Sequence, residues 1–361
     1  MERSRLKEVN KKSMSARIST HGMKPMFFPN FFGTKRRASL KWEALLGSKG
    51  VPVKADIIAW DASGGEKTRK TIQKASGDIP KTHIKRSMDE STWNEYKQLS
   101  NDASVEEKQI LDLVFEDTDF CFTGVRAEME FLCMQIMSKA ELSLNKQNNN
   151  GIVTETAVDF GVPAVNKSGV TVVWSNAETA KPISDLQGVV DKADTDGVVI
   201  RYVIMRKSDY RKLMAAKETI EKIKAWKGLT GKITLNKESL NAYLEDEMGV
   251  KVVVVNPSVK HEDNSTHAQT TLNPWEDGRI LFTTDLNIGD IQHGPIAAEE
   301  SETLRKKAVL VKNDFILTTK WSELEPFKEW TKSEANAFPV LNDPEVLYYL
   351  DVAHTNWGTN D

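Results

Sequence analysis

The sequence of 361 residues is poor in the features that mark membrane-spanning, secreted and disulfide-stabilised proteins. No apolar run approaches the roughly 18 residues that a transmembrane helix needs, so we expect no membrane partner. The N-terminal residues MERSRLKEVNKKS contain no apolar stretch and do not fit a secretory signal. The two cysteines, Cys121 and Cys133, lie in one predicted helix, twelve residues apart. Because that separation is about 18 Å along a helix, we expect no disulfide but two core-filling thiols in a reducing compartment.

Motifs for catalysis and ligand binding are also scarce. The segment SGGEKT at residues 63–68 lacks the Gly-Lys-Ser/Thr of a phosphate-binding loop, and Glu66 would repel a phosphate. The segment DKADTDG at 191–197 places Lys192 where a calcium loop needs its first carboxylate. None of the six histidines has a second histidine four residues away on a predicted helix. We therefore expect no enzyme, and neither catalytic residues, a cofactor nor a metal.

Charge is distributed unevenly along the chain. Residues 1–50 hold twelve Lys and Arg but only three acids, whereas the remaining 311 residues hold 37 basic and 49 acidic side chains. A basic segment attached to an acidic body can reach acidic surfaces of neighbouring copies, or nucleic acid. The same segment contains an aromatic cluster that is too small to form a core and should dock on another surface. Its members are Met26, Phe27, Phe28, Phe31 and Phe32.

The first hundred residues show little helical periodicity. The pattern predicts an extended arm over residues 1–50 and a two-stranded excursion over residues 51–100. Strand Val53–Asp61 leads to a flexible, basic turn at ASGGEKTRK. A hairpin of this length has little core of its own, so we expect it to lie on another surface.

Helical periodicity dominates residues 104–144. Ser104 and Glu107 fit a capping box, and we expect Gly124 to separate two helices. Beyond residue 150 the pattern alternates between strands and helices, with a compact α/β part over 197–256. The predicted elements are strands at 152–161 and 169–175, a helix after Pro182, a strand at 198–205, a helix capped by Ser208 or Asp209, a helix at 238–247, a strand at 251–255, a loop at 258–275 and a strand at 279–285.

The middle of the chain carries an ordered set of motifs. They are Arg126, Glu128 and Glu130 in the long helix, the extended segment Val158–Gly161, Trp174, and the Pro-Ile-x-Asp-Leu helix start at Pro182–Leu186. In this order they resemble the spine helix and following sheet of tailed-phage major capsid proteins, most closely the family of the phage lambda major head protein. The resemblance covers about residues 50–350.

The resemblance implies an α+β fold of the HK97 capsid type. Its parts would be an N-terminal arm at 1–50, an E-loop hairpin at 51–100, a P-domain with the long spine helix and sheet at 101–192, an α/β A-domain at 193–299, and return strands of the P-domain at 300–361.

The implied function is that of a bacteriophage major capsid protein, a structural protein of the virion. Copies would self-assemble as pentamers and hexamers into the icosahedral head shell, in the host cytoplasm, around double-stranded DNA held by non-specific contacts. Scaffolding and portal proteins are the implied partners, and a decoration protein is left open. The predicted assembly interface comprises Met26, Phe27, Phe28, Phe31 and Phe32, which would anchor the arm, and Lys67, Arg69 and Lys70, which would meet acids on an adjacent subunit.

Other functions stay open at this point. An encapsulin-like compartment would share the fold and enclose a cargo enzyme. A tail-tube or sheath subunit would assemble into tubes. A nucleic-acid-binding enzyme would use the basic segment as a clamp, but it needs a cluster of acids or a nucleotide loop, which we do not find.

Overall fold

The structure is a computed structural model that describes residues 2–20, 25–46, 73–102, 104–144, 156–231, 234–263 and 266–358. Its strands are β1 (Glu2–Arg3), β2 (Phe32–Arg36), β3 (Lys41–Leu46), β4 (Gln73–Asp78), β5 (Lys81–Met88), β6 (Glu141–Leu144), β7 (Thr156–Asp159), β8 (Lys167–Gly169), β9 (Tyr202–Arg206), β10 (Lys251–Val255), β11 (Val259–Glu262), β12 (Gln269–Leu272), β13 (Arg279–Thr283), β14 (Gly289–His293), β15 (Val309–Asn313), β16 (Ile316–Leu324), β17 (Phe327–Leu341) and β18 (Tyr348–Asp351).

The α-helices are α1 (Lys11–Thr20), α2 (Glu90–Asn101), α3 (Glu107–Lys139), α4 (Pro182–Thr195), α5 (Lys207–Ala215), α6 (Lys217–Trp226), α7 (Lys237–Met248), α8 (Ala297–Glu300) and α9 (Glu302–Lys307). The chain divides into two compact units. Unit 1 comprises Met1–Trp42, Ser76–Leu132 and Asp290–Val340, and unit 2 comprises Glu43–Ala75, Cys133–Gly289 and Leu341–Asp361.

Unit 1 is built around a seven-stranded sheet in the order β1-β16-β17-β14-β2, with β15 also paired to β16 and β5 to β17. Ile84 of β5 lies 2.8 Å from the position that a Cβ on Gly124 would occupy. The missing side chain therefore lets α3 and β5 approach closely. The prediction that Gly124 separates two helices is wrong, because this packing outweighs the weak helix propensity of one glycine.

Helix α3 runs for 33 residues, about 50 Å by helix rise. It begins at Glu107, but the predicted capping box is not formed, since the Ser104 hydroxyl instead bonds to the Asp102 carboxylate at 2.6 Å. The helix ends before Ala140, which has a left-handed φ of 61°. Residues 141–144, predicted to be helical, form β6 and pair with β7. Cys121 and Cys133 both lie in α3 as buried thiols that are not joined in a disulfide, as predicted, and the reducing compartment stays a prediction.

Unit 2 contains a five-stranded sheet in the order β10-β9-β13-β18-β8. Strand β9 is parallel to β10 and antiparallel to β13. The sequences of β9, β10 and β13 are almost continuously apolar, as expected for strands covered on both faces. Large buried members of this core include Trp174, Leu240, Phe282 and Tyr348. The predicted strands at 251–255 and 279–285 and the predicted helices after Pro182 and at 238–247 are confirmed.

Three local predictions in unit 2 are wrong. The predicted strand at 169–175 does not continue beyond Gly169, the last residue of β8, because residues 170–175 bend away. In this bend the Trp174 backbone N–H donates to the Val352 carbonyl at 3.0 Å, and the Trp174 indole N–H donates to the Asp185 carboxylate at 2.9 Å. The next helix begins at Lys207 rather than after a Ser208 or Asp209 cap. The predicted loop at 258–275 contains the antiparallel hairpin β11–β12. Its strands are mostly polar and so lack the apolar alternation from which a strand is predicted.

The predicted excursion at 51–100 is only partly visible. Strands β3 and β4, which flank residues 47–72 in sequence, pair with each other. Residues 81–88 form β5 within the large sheet and residues 90–101 form α2. The predicted strand Val53–Asp61 and the basic turn lie outside the described residues.

Candidate assembly surfaces

The N-terminal segment, residues 2–20, packs on unit 1. Strand β1 pairs antiparallel with β16, and α1 packs against β15. The expectation of an extended arm therefore fails for residues 11–20, which are helical. One side of the segment is buried, although its apolar residues do not follow one regular spacing. The buried apolar side chains are Leu6, Val9, Met14 and Ile18.

Charged contacts hold this segment against α2 and α3. The Arg17 guanidinium donates to Asp119 from Nε and Nη2, at 2.9 and 2.6 Å, and to Asp112 from Nη1 at 3.0 Å. The hydrogen bond with Asp119 is the main cause of the raised pKa of Arg17. The Tyr96 hydroxyl donates to Glu8 at 2.8 Å, and burial first, then Glu8, raises the Tyr96 pKa to about 12. Basic residues of the segment are thus partly neutralised by acids of the same chain.

The predicted aromatic anchor also lies on unit 1. Glu130 of α3 is buried, and its carboxylate accepts backbone N–H groups of Phe27 and Phe28 at 2.8–3.0 Å. These bonds hold the start of a short 3₁₀ helix, Phe28–Asn30. The Arg126 guanidinium lies 5.8 Å from the centre of the Phe28 ring, and burial lowers the pKa of Arg126. Backbone donors aimed at a carboxylate are a strong positional restraint.

The eight predicted interface residues differ in how far they are buried within the chain, and three of them are not described. Phe28, Phe31 and Phe32 are buried within the chain, whereas Met26 and Phe27 are half-buried. The other three, Lys67, Arg69 and Lys70, lie outside the described residues. Contact of either set with a second copy stays a prediction.

A buried charged cluster lies between α3 and the sheet, and sequence reasoning missed it. The Lys320 ammonium is fully buried and donates to the Val114 carbonyl at 2.8 Å. Burial lowers the pKa of Lys320, while the charges of Asp117 and Glu329 oppose this shift. Burial raises the pKa values of both Asp117 and Glu329. Glu329 also accepts the Arg5 backbone N–H at 2.8 Å, so the N-terminal segment completes the surroundings of this cluster.

No local sequence pattern predicts this cluster. Lys320 stands between Thr319 and Trp321 in a strand whose alternation could expose either face. Its buried side is fixed by pairing with β17 and by contact with α3, both distant in sequence. Glu130 stood out only through its place in the family-like motif, because its partners lie about a hundred residues away.

Within the described part of the chain, no three His, Cys, Asp or Glu side chains are grouped so that they could hold a metal ion. His267 contacts Glu262 at 3.4 Å beside the β11–β12 turn, and His354 contacts Asp351 at 3.0 Å. No helix among the described residues has the length and apolar character needed to cross a bilayer.

Comparisons with known proteins give one family match. The model of the family described as phage major capsid protein E matches residues 31–352. No curated protein matches the chain. The fold is similar to that of a candidate capsid protein from a prophage of E. coli CFT073, with 15% identity, coverage of 96% of this chain and 99% of that one, and a TM-score of 0.58. It is also similar to a phage-related protein of Bordetella bronchiseptica RB50, with 13% identity, coverage of 96% and 98%, and a TM-score of 0.55.

Proposed function

The chain belongs to the phage major capsid protein E family, and from this premise we propose how it forms a phage head. It is a shell protein of the virion that acts as a homo-oligomer, and its α+β fold is of the HK97 type. In the proposal, copies associate as pentamers and hexamers and close an icosahedral head around double-stranded DNA. The match over residues 31–352 carries this proposal.

Several details follow from the same proposal. Assembly takes place in the host cytoplasm with scaffolding and portal proteins, and the shell contacts DNA without sequence specificity. The chain has no catalytic activity, in keeping with a structural family. The proposal includes the same domain division: an N-terminal arm at 1–50, an E-loop at 51–100, a P-domain at 101–192 and 300–361, and an A-domain at 193–299. Repeated head-to-tail contacts between identical copies close into rings when the rotation between copies closes, and this is the geometry that pentamers and hexamers require.

The first experiment is expression of the chain alone and together with the scaffold encoded beside it, followed by negative-stain electron microscopy. We expect closed shells, or particles with the shape of pentamers and hexamers. Tubes would indicate a tail protein, and shells that co-purify with a protein cargo instead of DNA would indicate a compartment. A chain that stays monomeric even with its scaffold would contradict the proposal.

The predicted aromatic interface is tested at its two half-buried members. Met26→Ser with Phe27→Ser should leave the fold intact but prevent shell closure, because the remaining aromatic side chains still fill unit 1. Leu40→Ser is a matched control in the same unit, with a side chain that is 44% exposed. Normal shells from the double variant, at unchanged melting temperature, would remove these residues from the interface.

The basic residues Lys67, Arg69 and Lys70 are tested by reversal of charge. Replacement of all three by Glu should slow assembly, and the defect should depend on salt concentration because attraction between exposed charges is screened. A control variant reverses Lys224, Lys306 and Lys307, which changes the net charge equally. If both triple variants assemble at the same rate at every salt concentration, the predicted contact is wrong.

A further inference from the structure

The basic segment of the chain contains two kinds of cation. Arg17 is engaged with Asp112 and Asp119, and Arg5 pairs with Glu2 at 2.8 Å. In contrast, Lys35 and Arg36 are exposed and make no ion pair with any residue of the described ranges. Their positive charge is therefore available to a partner.

These two cations lie on an edge strand. Strand β2 is the last strand of the seven-stranded sheet beyond β14, and no described strand pairs with its other side. The Arg37 backbone N–H points inward, to the His293 carbonyl at 2.7 Å. Because N–H groups alternate along a strand, those of Thr34 and Arg36 face the open edge. The edge thus offers backbone donors next to two exposed cations that have no ion-pair partner among the described residues.

Acidic as well as basic side chains lie near this edge, on the side of β14. The Arg37 side chain is held by Gln292 at 2.8 Å, which fixes the end of the strand. Asp290 lies beside Gly33, on the side of β14. Burial is the main cause of the lowered pKa of His293. The charges of Lys312 and Arg36 lower this pKa further, whereas those of Asp314 and Glu299 oppose the shift.

We propose that Lys35, Arg36 and the open edge of β2 bind the phosphodiester backbone of duplex DNA. This inference rests on the proposed enclosure of a DNA genome and names the residues that contact it. Phosphate oxygens accept hydrogen bonds from Arg, Lys and backbone N–H groups, and all three donor types are present here. Such contacts carry no base specificity, as packaging of a whole genome requires.

Another role for charges on an edge strand is to prevent pairing with a second sheet. Replacement by Ala would remove that protection together with the phosphate contacts. Replacement by Glu keeps charges on the edge but repels phosphate. The pair of double variants, Lys35→Ala with Arg36→Ala and Lys35→Glu with Arg36→Glu, therefore separates the two roles.

The test is binding of the unassembled full-length chain to a fluorescent duplex of random sequence, measured by anisotropy at several salt concentrations. Each phosphate contact contributes about 0.9 to the slope of log affinity against log salt, so loss of two contacts lowers the slope by about 1.8. Over a fourfold range of salt this corresponds to a change of about twelvefold in relative affinity. Both double variants should show this loss, and Lys35→Arg with Arg36→Lys should retain the wild-type slope.

The control is Lys306→Ala with Lys307→Ala, which removes two adjacent exposed cations of the same unit. The proposal is overturned if the control lowers the slope as much as the β2 variants, or if the β2 variants bind DNA as the wild type does. It is equally overturned if they bind DNA normally and fail to form shells, since the edge would then contact a second copy. If the wild type forms no shells, the proposed function fails. The binding experiment still measures whether Lys35 and Arg36 contact phosphate.

Discussion

The two units differ in what their interiors are made of. Unit 2 is filled by apolar side chains such as Val203, Leu240 and Phe282, packed between helices and the five-stranded sheet. The sheet of unit 1 instead turns a polar row toward α3, in which Lys320 and Glu329 are fully buried. Apolar burial is non-directional, whereas buried charges depend on particular partners. The apolar core of unit 2 should therefore tolerate changes of pH and salt better than the charged interior of unit 1, although unit 2 also buries Asp209 and Asp351.

The polar row of unit 1 follows from strand alternation. Thr318, Lys320 and Ser322 share one face of β16, and Glu329, Thr331 and Ser333 share the matching face of β17. All six are buried. The Arg5 backbone N–H reaches Glu329 from the N-terminal segment, so part of this interior depends on residues at the far end of the chain.

The largest effect is expected from a cavity in unit 2. Phe282→Ala should lower the free energy of unfolding of unit 2 by about 3–5 kcal/mol, because the side chain is completely buried and leaves an unfilled space. Hydrogen exchange on peptides of unit 2 measures this loss, which should be the same at pH 5 and pH 8. Val199→Ala, at a side chain that is 63% exposed, is the control and should change stability by less than about 0.5 kcal/mol.

A slightly smaller and pH-dependent loss is expected in unit 1. Lys320→Met should cost about 3 kcal/mol near pH 7, because Asp117 and Glu329 lose their buried cation. Their folded pKa values, already raised by burial, then rise further. A carboxyl whose pKa is raised in the folded state lowers the free energy of unfolding as pH increases. The loss caused by Lys320→Met should therefore shrink as pH falls. A loss independent of pH would show that packing, not charge, dominates at this position.

The attachment of the N-terminal segment should be weaker and sensitive to salt. Arg17→Ala should destabilise α1 and its contact with α3 by about 1–2 kcal/mol, since charge-assisted hydrogen bonds at a partly exposed site are lost. The difference from the wild type should diminish in high salt. Limited proteolysis near residue 20 reports release of the segment, with Lys12→Ala as a control that keeps the ion pairs. Equal proteolysis of wild type and Arg17→Ala would contradict this assignment.

The smallest effect is expected at Glu128 on α3. Burial raises the pKa of Glu128 from 4.5 to about 7, so the folded protein resists ionisation of this carboxyl. Below pH 4.5 the group is protonated in both states and contributes no penalty, whereas stability is lost as pH rises through 7. Glu128→Gln should therefore stabilise unit 1 by about 1 kcal/mol at pH 8, a value reduced by partial exposure of the side chain, and have no effect at pH 4. Urea unfolding at both pH values tests this, and equal stabilisation at both would exclude titration of Glu128 as the cause.

The same contrast explains which features could be predicted from sequence. Helices α4 and α7 and strands β10 and β13 have local signals, an early Pro182 or a run of valines, and the sequence placed them well. The continuity of α3 through Gly124 depends on Ile84, forty residues away, and has no local signal. Buried Lys320 and the bent chain at Trp174 likewise depend on distant partners. Elements with a local signal were therefore predictable, whereas features fixed by distant residues were not, and the assembly-interface residues stay a prediction.

The hairpin β11–β12 in unit 2 differs from both cores. Its four register pairs run from Val259↔Leu272 to Glu262↔Gln269, and none of its described side chains is buried. Extra residues between these two strands would disturb neither core packing nor the buried hydrogen bonds of the sheet. The connection from β11 to β12 is consequently the natural point at which to graft a foreign peptide, for instance an epitope that each copy of a particle would carry.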